Sequence, residues 1–186
     1  MSLLKLDNVS CWRGGRLLFR GLDLALGPGE AMLVTGPNGT GKSSLLRLAA
    51  GLLQPLGGRI DAARCALVDE RPALDPELPL AGALAFWAPA GRDVQAALAA
   101  TGLQALADVP VRLLSTGQLR RASLARVSLS GAPLWLLDEP ANGLDSASLD
   151  LLAELVAQHL AGGGAILAAS HQPLRGTEWR ALELAQ

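Results

Sequence analysis

The chain has 186 residues and half of them are hydrophobic, so it can bury a core and is expected to form one compact domain. A formal net charge of −1 at pH 7 excludes a general attraction to polyanions, and no nucleic-acid partner is expected. Cys11 and Cys65 form no CxxC pair or metal-ligand spacing, which favours a reducing cytoplasm. No apolar run reaches about 18 residues, so any membrane pore is expected in another chain.

The first part of the chain predicts an antiparallel hairpin and then a strand, a loop and a helix. Apolar and polar residues alternate over 3–9 and 17–26, and a Gly-Gly pair breaks the chain between them. A short apolar run at 31–35 ends in a glycine-rich turn. Leucines at helical spacing follow over 43–53, which predicts a helix directly after the turn.

The middle of the chain predicts one strand and a small helical insertion. The strand is expected at 65–69, and the stretch from 72 to 111 is rich in alanine and proline. Within it, helical patches are predicted at 81–87 and 93–100. A longer helix is predicted over 115–129, with serine at its N-cap.

The last part of the chain alternates strands with a helix. Buried strands are predicted at 133–138 and 165–170, on either side of an amphipathic helix over 146–160. A final strand is predicted at 178–185. Strands that alternate with helices predict an α/β fold whose mainly parallel sheet is flanked by helices, with the hairpin as an antiparallel β flap.

A glycine-rich segment between the strand at 31–35 and the next helix carries the first chemical signal. It matches the phosphate-loop pattern GxxxxGK[ST], in the strand–loop–helix context that gives the pattern its meaning. Glycines let backbone amides turn inward toward phosphate, Lys42 can reach a γ-phosphate, and Ser43 can supply an oxygen to Mg²⁺. The predicted nucleotide-binding residues of this segment are Gly36, Pro37, Asn38, Gly39, Thr40, Gly41, Lys42, Ser43 and Ser44.

Two adjacent carboxylates end the predicted strand at 133–138. A carboxylate at the carboxyl end of a parallel strand is expected beside the phosphate loop. There, Asp138 can hold Mg²⁺, and Glu139 can orient or deprotonate an attacking water.

The motif LSTGQ opens the predicted helix over 115–129. Ser115, Gly117 and Gln118 offer a hydroxyl, unhindered amides and the positive end of a helix dipole, which suits an anion such as a γ-phosphate. An ordinary helix N-cap is the alternative interpretation.

The phosphate loop, LSTGQ and WLLDEPANGLD, in this order and spacing, resemble the nucleotide-binding domain of ABC proteins from Leu3 to about Leu174. The resemblance implies a single ABC-type P-loop ATPase domain over 1–186 that uses ATP and Mg²⁺. Its catalytic core would cover 1–71 and 130–186, and 72–129 would be a helical insertion that includes the signature helix.

The same resemblance implies an assembly at the cytoplasmic face of the inner membrane. Two chains would pair head to tail, with Ser115, Gly117 and Gln118 of each closing over the ATP held by the other, and both would bind an integral membrane permease subunit. By the same resemblance, 142–145 communicates across the interface. His171 would be the switch histidine that contacts the γ-phosphate and belongs to the catalytic set with Glu139 and Lys42.

Two positions depart from the family's pattern. Where an aromatic residue usually lies under adenine, this chain has Trp12 and Arg13, and either the indole or the guanidinium plane can stack on a base. The glutamine expected after the strand at 65–69 is replaced by Arg71, so Mg²⁺ can recruit the neighbouring Glu70 instead.

Secondary features resemble the ATPase of cytochrome c maturation systems, a haem exporter: RLLFRGLDLAL, LSTGQLRRASLARV and the segment 171–174. Alternatives are the ATPase of another small-substrate transporter, or a degenerate subunit that binds ATP with little hydrolysis. The paired carboxylates and LSTGQ disfavour a small-molecule kinase. ABC-type DNA-repair or translation factors are disfavoured because long coiled coils and a second ATP domain are absent from the sequence.

Overall fold

The computed structural model describes residues 2–184, so Met1, Ala185 and Gln186, including the last position of the predicted final strand, lie outside the described part. The strands are β1 (Leu4–Arg13), β2 (Arg16–Leu26), β3 (Ala31–Thr35), β4 (Gly57–Ala62), β5 (Cys65–Val68), β6 (Leu134–Asp138), β7 (Ala165–Ala169) and β8 (Arg180–Glu183). The helices are α1 (Lys42–Ala49), α2 (Leu80–Ala85), α3 (Val94–Ala100), α4 (Thr116–Leu129) and α5 (Ser146–Ala161), with 3₁₀ turns at Gln104–Leu106 and Val111–Leu113.

A parallel sheet forms the centre of the fold, with strand order β5-β6-β7-β3-β8. Strands β6 and β7 are buried along their whole length, because helices cover both faces of the sheet and leave only apolar positions in its middle. The carboxyl ends of these strands meet at one edge. The predicted α/β fold with a mainly parallel sheet is confirmed.

The predicted hairpin is confirmed as β1 and β2, and it belongs to a separate antiparallel sheet of order β2-β1-β4. Strand β4 was not predicted. It pairs with β1 through Leu6 opposite Ile60, but Ile60 is its one large apolar side chain and most of its positions are exposed. A strand that buries so little has no apolar alternation in its sequence, and backbone pairing with β1 is what defines it.

Several predicted boundaries are wrong. The strand predicted at 3–9 covers Leu4–Arg13, and the helical patch predicted at 81–87 covers Leu80–Ala85. The helix predicted over 43–53 begins at Lys42 and ends at Ala49, because Gly51 adopts φ 71° and Leu52 is 64% exposed beyond the turn. The strand predicted at 178–185 covers Arg180–Glu183, where it pairs with β3 along the edge of the parallel sheet.

Apolar side chains of the described residues form three clusters. One lies between the antiparallel sheet, α1 and one face of the parallel sheet, and the second covers the opposite face under α5. The third gathers apolar residues from Leu74 to Leu129, the region predicted as a helical insertion. Beside the second cluster, His159 stacks on Trp135 with ring centroids 3.9 Å apart, so this histidine has a packing role. Burial lowers the pKa of His159.

Candidate active site

A cavity of about 790 Å³ lies where the carboxyl ends of β3 and β6 meet the start of α1. It is lined by Arg13, Gly14, Arg16, Leu18, Asn38, Gly39, Gly41, Lys42, Ser43, Ser44, Glu70, Arg120, Asp138, Glu139, Asn142 and His171. The fold therefore brings the predicted phosphate loop, the paired carboxylates and the predicted switch histidine into one space. In open parallel sheets this edge is the usual place for a ligand.

The glycine-rich segment wraps tightly before α1 because three of its glycines adopt positive φ: 133° at Gly36, 82° at Gly39 and 108° at Gly41. A Cβ at Gly36 would collide with the carbonyl oxygen of Leu184. The side chain of Lys42 folds back over this loop, and its Nζ donates to the carbonyl oxygens of Gly36 at 2.7 Å and Pro37 at 3.1 Å. A compact ammonium thus lies in the concavity of a loop of the kind that binds phosphate.

Asp138 ends β6 with its side chain nearly buried beside the first turn of α1. Burial raises the pKa of its carboxyl group, while the neighbouring Ser43 and the charge of Arg47 act in the opposite direction. Ser43 and Asp138 both line the cavity, and a hydroxyl and a carboxylate beside a phosphate loop are oxygen ligands of the kind that Mg²⁺ prefers.

Asp138→Asn is expected to stabilise the ligand-free protein. The pKa of this carboxyl group is raised above the usual 3.8 in the folded state, so the folded state binds the proton more tightly than the unfolded state does. The free energy of unfolding therefore falls as the pH rises through and above 3.8 and the carboxyl group ionises. At neutral pH the asparagine removes the buried charge and keeps an oxygen that can accept from Ser43. We expect the melting temperature to rise by about 2–4 °C, which corresponds to about 1 kcal/mol for a chain of this size, while Mg²⁺-dependent turnover is lost.

Differential scanning calorimetry of both proteins without nucleotide measures this effect. Asp150→Asn, at an exposed position on α5, is the matched control and should leave the melting temperature unchanged. An equal or lower melting temperature for Asp138→Asn would contradict the account of a buried, destabilising carboxylate.

Glu139 follows directly after β6 in a left-handed conformation, with φ 47°. Its N–H donates to the carbonyl oxygen of Ala169 at 2.8 Å, which fixes this turn against the end of β7. Its Oε1 lies 3.5 Å from Nε2 of His171, whose imidazole is largely exposed to the cavity. A non-glycine residue in this region of φ is strained, and such strain is concentrated at functional turns.

The predicted signature residues lie outside the lining of this cavity. Ser115 caps α4: its Oγ accepts from the N–H of Gln118 at 3.3 Å, and Oε1 of Gln118 accepts from the N–H of Ser115 at 2.8 Å. This reciprocal pair is a capping box, so the N-cap interpretation is confirmed as a structural role. Gly117 packs so closely on Gly143 that a Cβ would lie 2.9 Å from its carbonyl oxygen.

The two candidates for stacking on adenine have different surroundings. Arg13 lines the cavity, and its Nη1 donates to Oγ of Ser44 at 3.3 Å. Trp12 does not line it; this side chain is 56% exposed and pairs across the hairpin with Leu17. Successive residues of a strand face opposite sides, which explains why the two neighbours separate.

Glu70 lines the cavity, whereas Arg71 does not. The N–H of Arg71 donates to Oδ1 of Asp69 at 3.1 Å in the turn after β5. Glu70 and Asp138 line the same cavity, and the charge of Glu70 acts to raise the pKa of Asp138. The side chain predicted as a possible additional Mg²⁺ ligand is therefore near Ser43 and Asp138.

Sequence reasoning did not single out two arginines that line the cavity. Nη1 of Arg120, on α4, donates to the carbonyl oxygens of Asp69 at 3.1 Å and Asp138 at 3.4 Å, and Arg16 reaches the phosphate loop from the hairpin. Both lie in segments that carry the resemblance to cytochrome c maturation ATPases, RLLFRGLDLAL and LSTGQLRRASLARV, but the sequence assigns neither of them a role at the site.

The fold and the cavity together define an ATPase domain of the P-loop class. Residues 19–142, about two thirds of the chain, match the family described as ABC transporter. A solved ATP-binding subunit of an ABC transporter superposes with a TM-score of 0.88 over 98% of this chain and 88% of that chain, at 23% identity, which shows the shared fold.

Relatives with assigned names indicate to which family of ABC transporter subunits the chain belongs. A protein of Sphingopyxis alaskensis named "Cytochrome c biogenesis ATP-binding export protein CcmA" is 58% identical over 91% of this chain and 90% of its own length. The protein of the same name from Zymomonas mobilis is 52% identical over 97% of this chain and 84% of its own length. The chain belongs to the CcmA family of ABC transporter ATP-binding subunits, and it is an ABC ATPase.

Within residues 2–184, no helix combines the length and apolar character needed to cross a bilayer. Nor do the described side chains include a group of three or more histidines, cysteines or carboxylates placed to hold a metal ion unaided.

Proposed function

We propose that this chain is the ATP-hydrolysing subunit of a cytochrome c biogenesis export complex. It works as a head-to-tail homodimer bound to an integral membrane permease, at the cytoplasmic face of the inner membrane. The observation that carries the proposal is the convergence of Lys42, Asp138, Glu139 and His171 on one cavity, in a chain that is 58% identical to a CcmA protein.

The triphosphate of ATP binds in the loop from Gly36 to Ser44. Backbone amides of the loop and of the first turn of α1 face the phosphates, and the positive end of the helix dipole adds to their attraction. Lys42 exchanges its carbonyl partners in the loop for phosphate oxygens, which are stronger, charged acceptors.

The side chains near the start of α1 fit Mg²⁺. Ser43 and Asp138 both line the cavity, and a cation held by the Ser43 hydroxyl and the Asp138 carboxylate would relieve the cost of burying that carboxylate. Glu70 contributes a further carboxylate on the same side of the cavity. When bound, Mg²⁺ neutralises negative charge on the phosphates during transfer.

Glu139 positions the water that attacks the γ-phosphate and accepts its proton. The turn that holds Glu139 is fixed by its N–H bond to Ala169, so the carboxylate stays at the edge of the cavity. His171 lies within reach of both this carboxylate and the cavity, where it contacts the γ-phosphate and holds Glu139 in position. Lys42 stabilises the charge that develops on the transferred group.

Dimerisation supplies the remaining contacts to the γ-phosphate of ATP. Ser115, Gly117 and Gln118 lie outside their own chain's cavity, which supports a role over the nucleotide of a second copy. The capping box holds the N-terminus of α4 in a fixed shape, so its amides are preorganised for the partner's γ-phosphate. The loop at 142–145 packs against Gly117 and links this end of α4 to the catalytic turn.

Adenine stacks on the guanidinium plane of Arg13 rather than on Trp12. Arg13 lines the cavity and is anchored by Ser44, whereas Trp12 faces away from the lining. With Arg71 also outside the lining, Glu70 takes the place beside the nucleotide at the end of β5.

The cargo that we propose is haem, in line with the export role that the relatives' names state for cytochrome c biogenesis. A transporter for another small substrate is the second candidate, because this domain provides the motor and the permease would contact the cargo. Glu139 and His171, both present at the cavity, favour hydrolysis over a degenerate, ATP-binding role.

The test is ATP hydrolysis by the purified chain, alone and co-expressed with a candidate permease, in membranes or nanodiscs. We expect hydrolysis that rises when the permease is present and responds to haem. Hydrolysis that responds to a different small substrate would favour the second candidate. Tight ATP binding without hydrolysis in either setting would overturn the motor role and support the degenerate subunit.

A further inference from the structure

A hydrogen bond joins the β1–β2 hairpin to the crest of the phosphate loop. Arg16, the first residue of β2, donates from Nη2 to the carbonyl oxygen of Gly39 at 2.9 Å. The guanidinium lies directly against Gly39, since a Cβ at that glycine would be 2.9 Å from the same nitrogen. Arg16 also lines the cavity, so its charge faces the space in which the phosphates bind.

The same strand contacts the loop at a second point. A Cβ at Gly41 would lie 3.1 to 3.3 Å from side-chain atoms of Leu18 and Phe19, so β2 and the loop are in close contact there. Strand β2 therefore follows the loop from Gly39 to Gly41. The hairpin acts as the outer wall of the loop, and Arg16 provides a polar, directional contact within that wall.

The phosphate loop needs such a contact because its glycines leave its peptide planes free to rotate. Residues at positive φ without a Cβ change conformation at little steric cost, and Gly36, Gly39 and Gly41 are all of this kind. An inward amide attracts phosphate, whereas an inward carbonyl repels it. At the start of the loop, Lys42 holds the carbonyl groups of Gly36 and Pro37.

We propose that Arg16 is a positioning residue for nucleotide binding. It fixes the carbonyl of Gly39 on the hairpin side and so holds the Gly39–Thr40 peptide plane, whose N–H donates to the carbonyl oxygen of Pro37 at 3.4 Å. The crest of the loop therefore keeps one conformation before nucleotide arrives. This preorganisation lowers the ordering cost of binding and so raises affinity. The inference rests on the proposed function in one respect, that the loop from Gly36 to Ser44 binds ATP.

The experiment compares Arg16→Met and Arg16→Lys with the unsubstituted chain, using Arg20→Met as control. Arg20 is an exposed arginine on the same strand and does not line the cavity. The first measurement is ¹⁵N relaxation of the Thr40 and Gly41 amides in the nucleotide-free protein. The second is the KM and kcat of ATP hydrolysis in the complex with the permease.

For Arg16→Met we expect the order parameters of both amides to fall from about 0.85 toward 0.6, the range between a rigid and a flexible backbone. We expect KM to rise about three- to tenfold, as for the loss of one charge-assisted hydrogen bond at an exposed position, with kcat within about twofold. Arg16→Lys should have a KM between those of Arg16→Met and the unsubstituted chain, because an ammonium keeps the charge but lacks the planar fork. Arg20→Met should change neither quantity.

Unchanged order parameters would overturn the proposal even if KM rises, because Arg16 would then act as a charge on the nucleotide. Full recovery of KM by Arg16→Lys without recovery of the order parameters would overturn it for the same reason. The relaxation measurement needs no nucleotide, so it remains decisive if the unsubstituted chain does not hydrolyse ATP. That last result would count against the proposed function and not against the role of Arg16 in the loop.

Discussion

Glu139→Gln is expected to reduce ATP hydrolysis by about 10²- to 10⁴-fold, the usual contribution of a positioned general base. Glutamine keeps the shape of the side chain and its contacts with the turn but cannot accept the proton of the attacking water. Nucleotide binding depends on the phosphate loop and should be retained. The dimer should therefore close on ATP and fail to open, and it should be isolated as a stable ATP-bound pair.

Size-exclusion chromatography with radiolabelled ATP measures the trapped dimer, and phosphate release measures the rate. Glu154→Gln, the same substitution at an exposed position on α5, is the matched control and should behave like the unsubstituted chain. Turnover at the normal rate in Glu139→Gln would refute the role assigned to Glu139. Loss of ATP binding would instead indicate that the substitution disrupts the turn at the end of β6.

Lys42→Met should weaken ATP binding as well as reduce turnover, and this distinguishes it from Glu139→Gln. The ammonium lies in the concavity of the loop, at a buried position that lines the cavity. Loss of a charged hydrogen bond there is expected to weaken ATP binding by about 10- to 100-fold. Loss of the charge in the transition state should reduce turnover by about 10²- to 10³-fold.

Fluorescent ATP titration and phosphate release measure the two effects separately. The chain contains two lysines, and Lys5→Met provides a control with the same chemistry. Lys5 is an exposed residue of β1 that forms an ion pair with Asp7 at 2.9 Å and does not line the cavity. If Lys42→Met binds ATP as tightly as Lys5→Met does, the loop is not the phosphate site.

Local sequence determined much of the fold because the central parallel strands β3, β6 and β7 are almost wholly apolar. The run at 31–35 became β3 without change, and the strands ending at Asp138 and Ala169 differ from the prediction by a single residue. Buried strands flanked by helices need apolar residues at every position, so their sequence signal is strong. The sequence signal of the phosphate loop was equally strong, because the positive φ angles of this turn favour glycine.

Only the tertiary structure decided which side chains meet at the cavity. Glu139 and His171 are distant in sequence, and adjacent parallel strands bring them within 3.5 Å. Strand β4 exists because its backbone pairs with β1.

Arg13 enters the cavity while Trp12 faces away, and Arg16 reaches Gly39 from the neighbouring sheet. Such contacts join residues far apart in the chain, and local residue patterns carry no information about them. The sequence by itself therefore determined the kind of loop, strand and helix that this protein builds, and packing of the two sheets determined which arginines serve the nucleotide site.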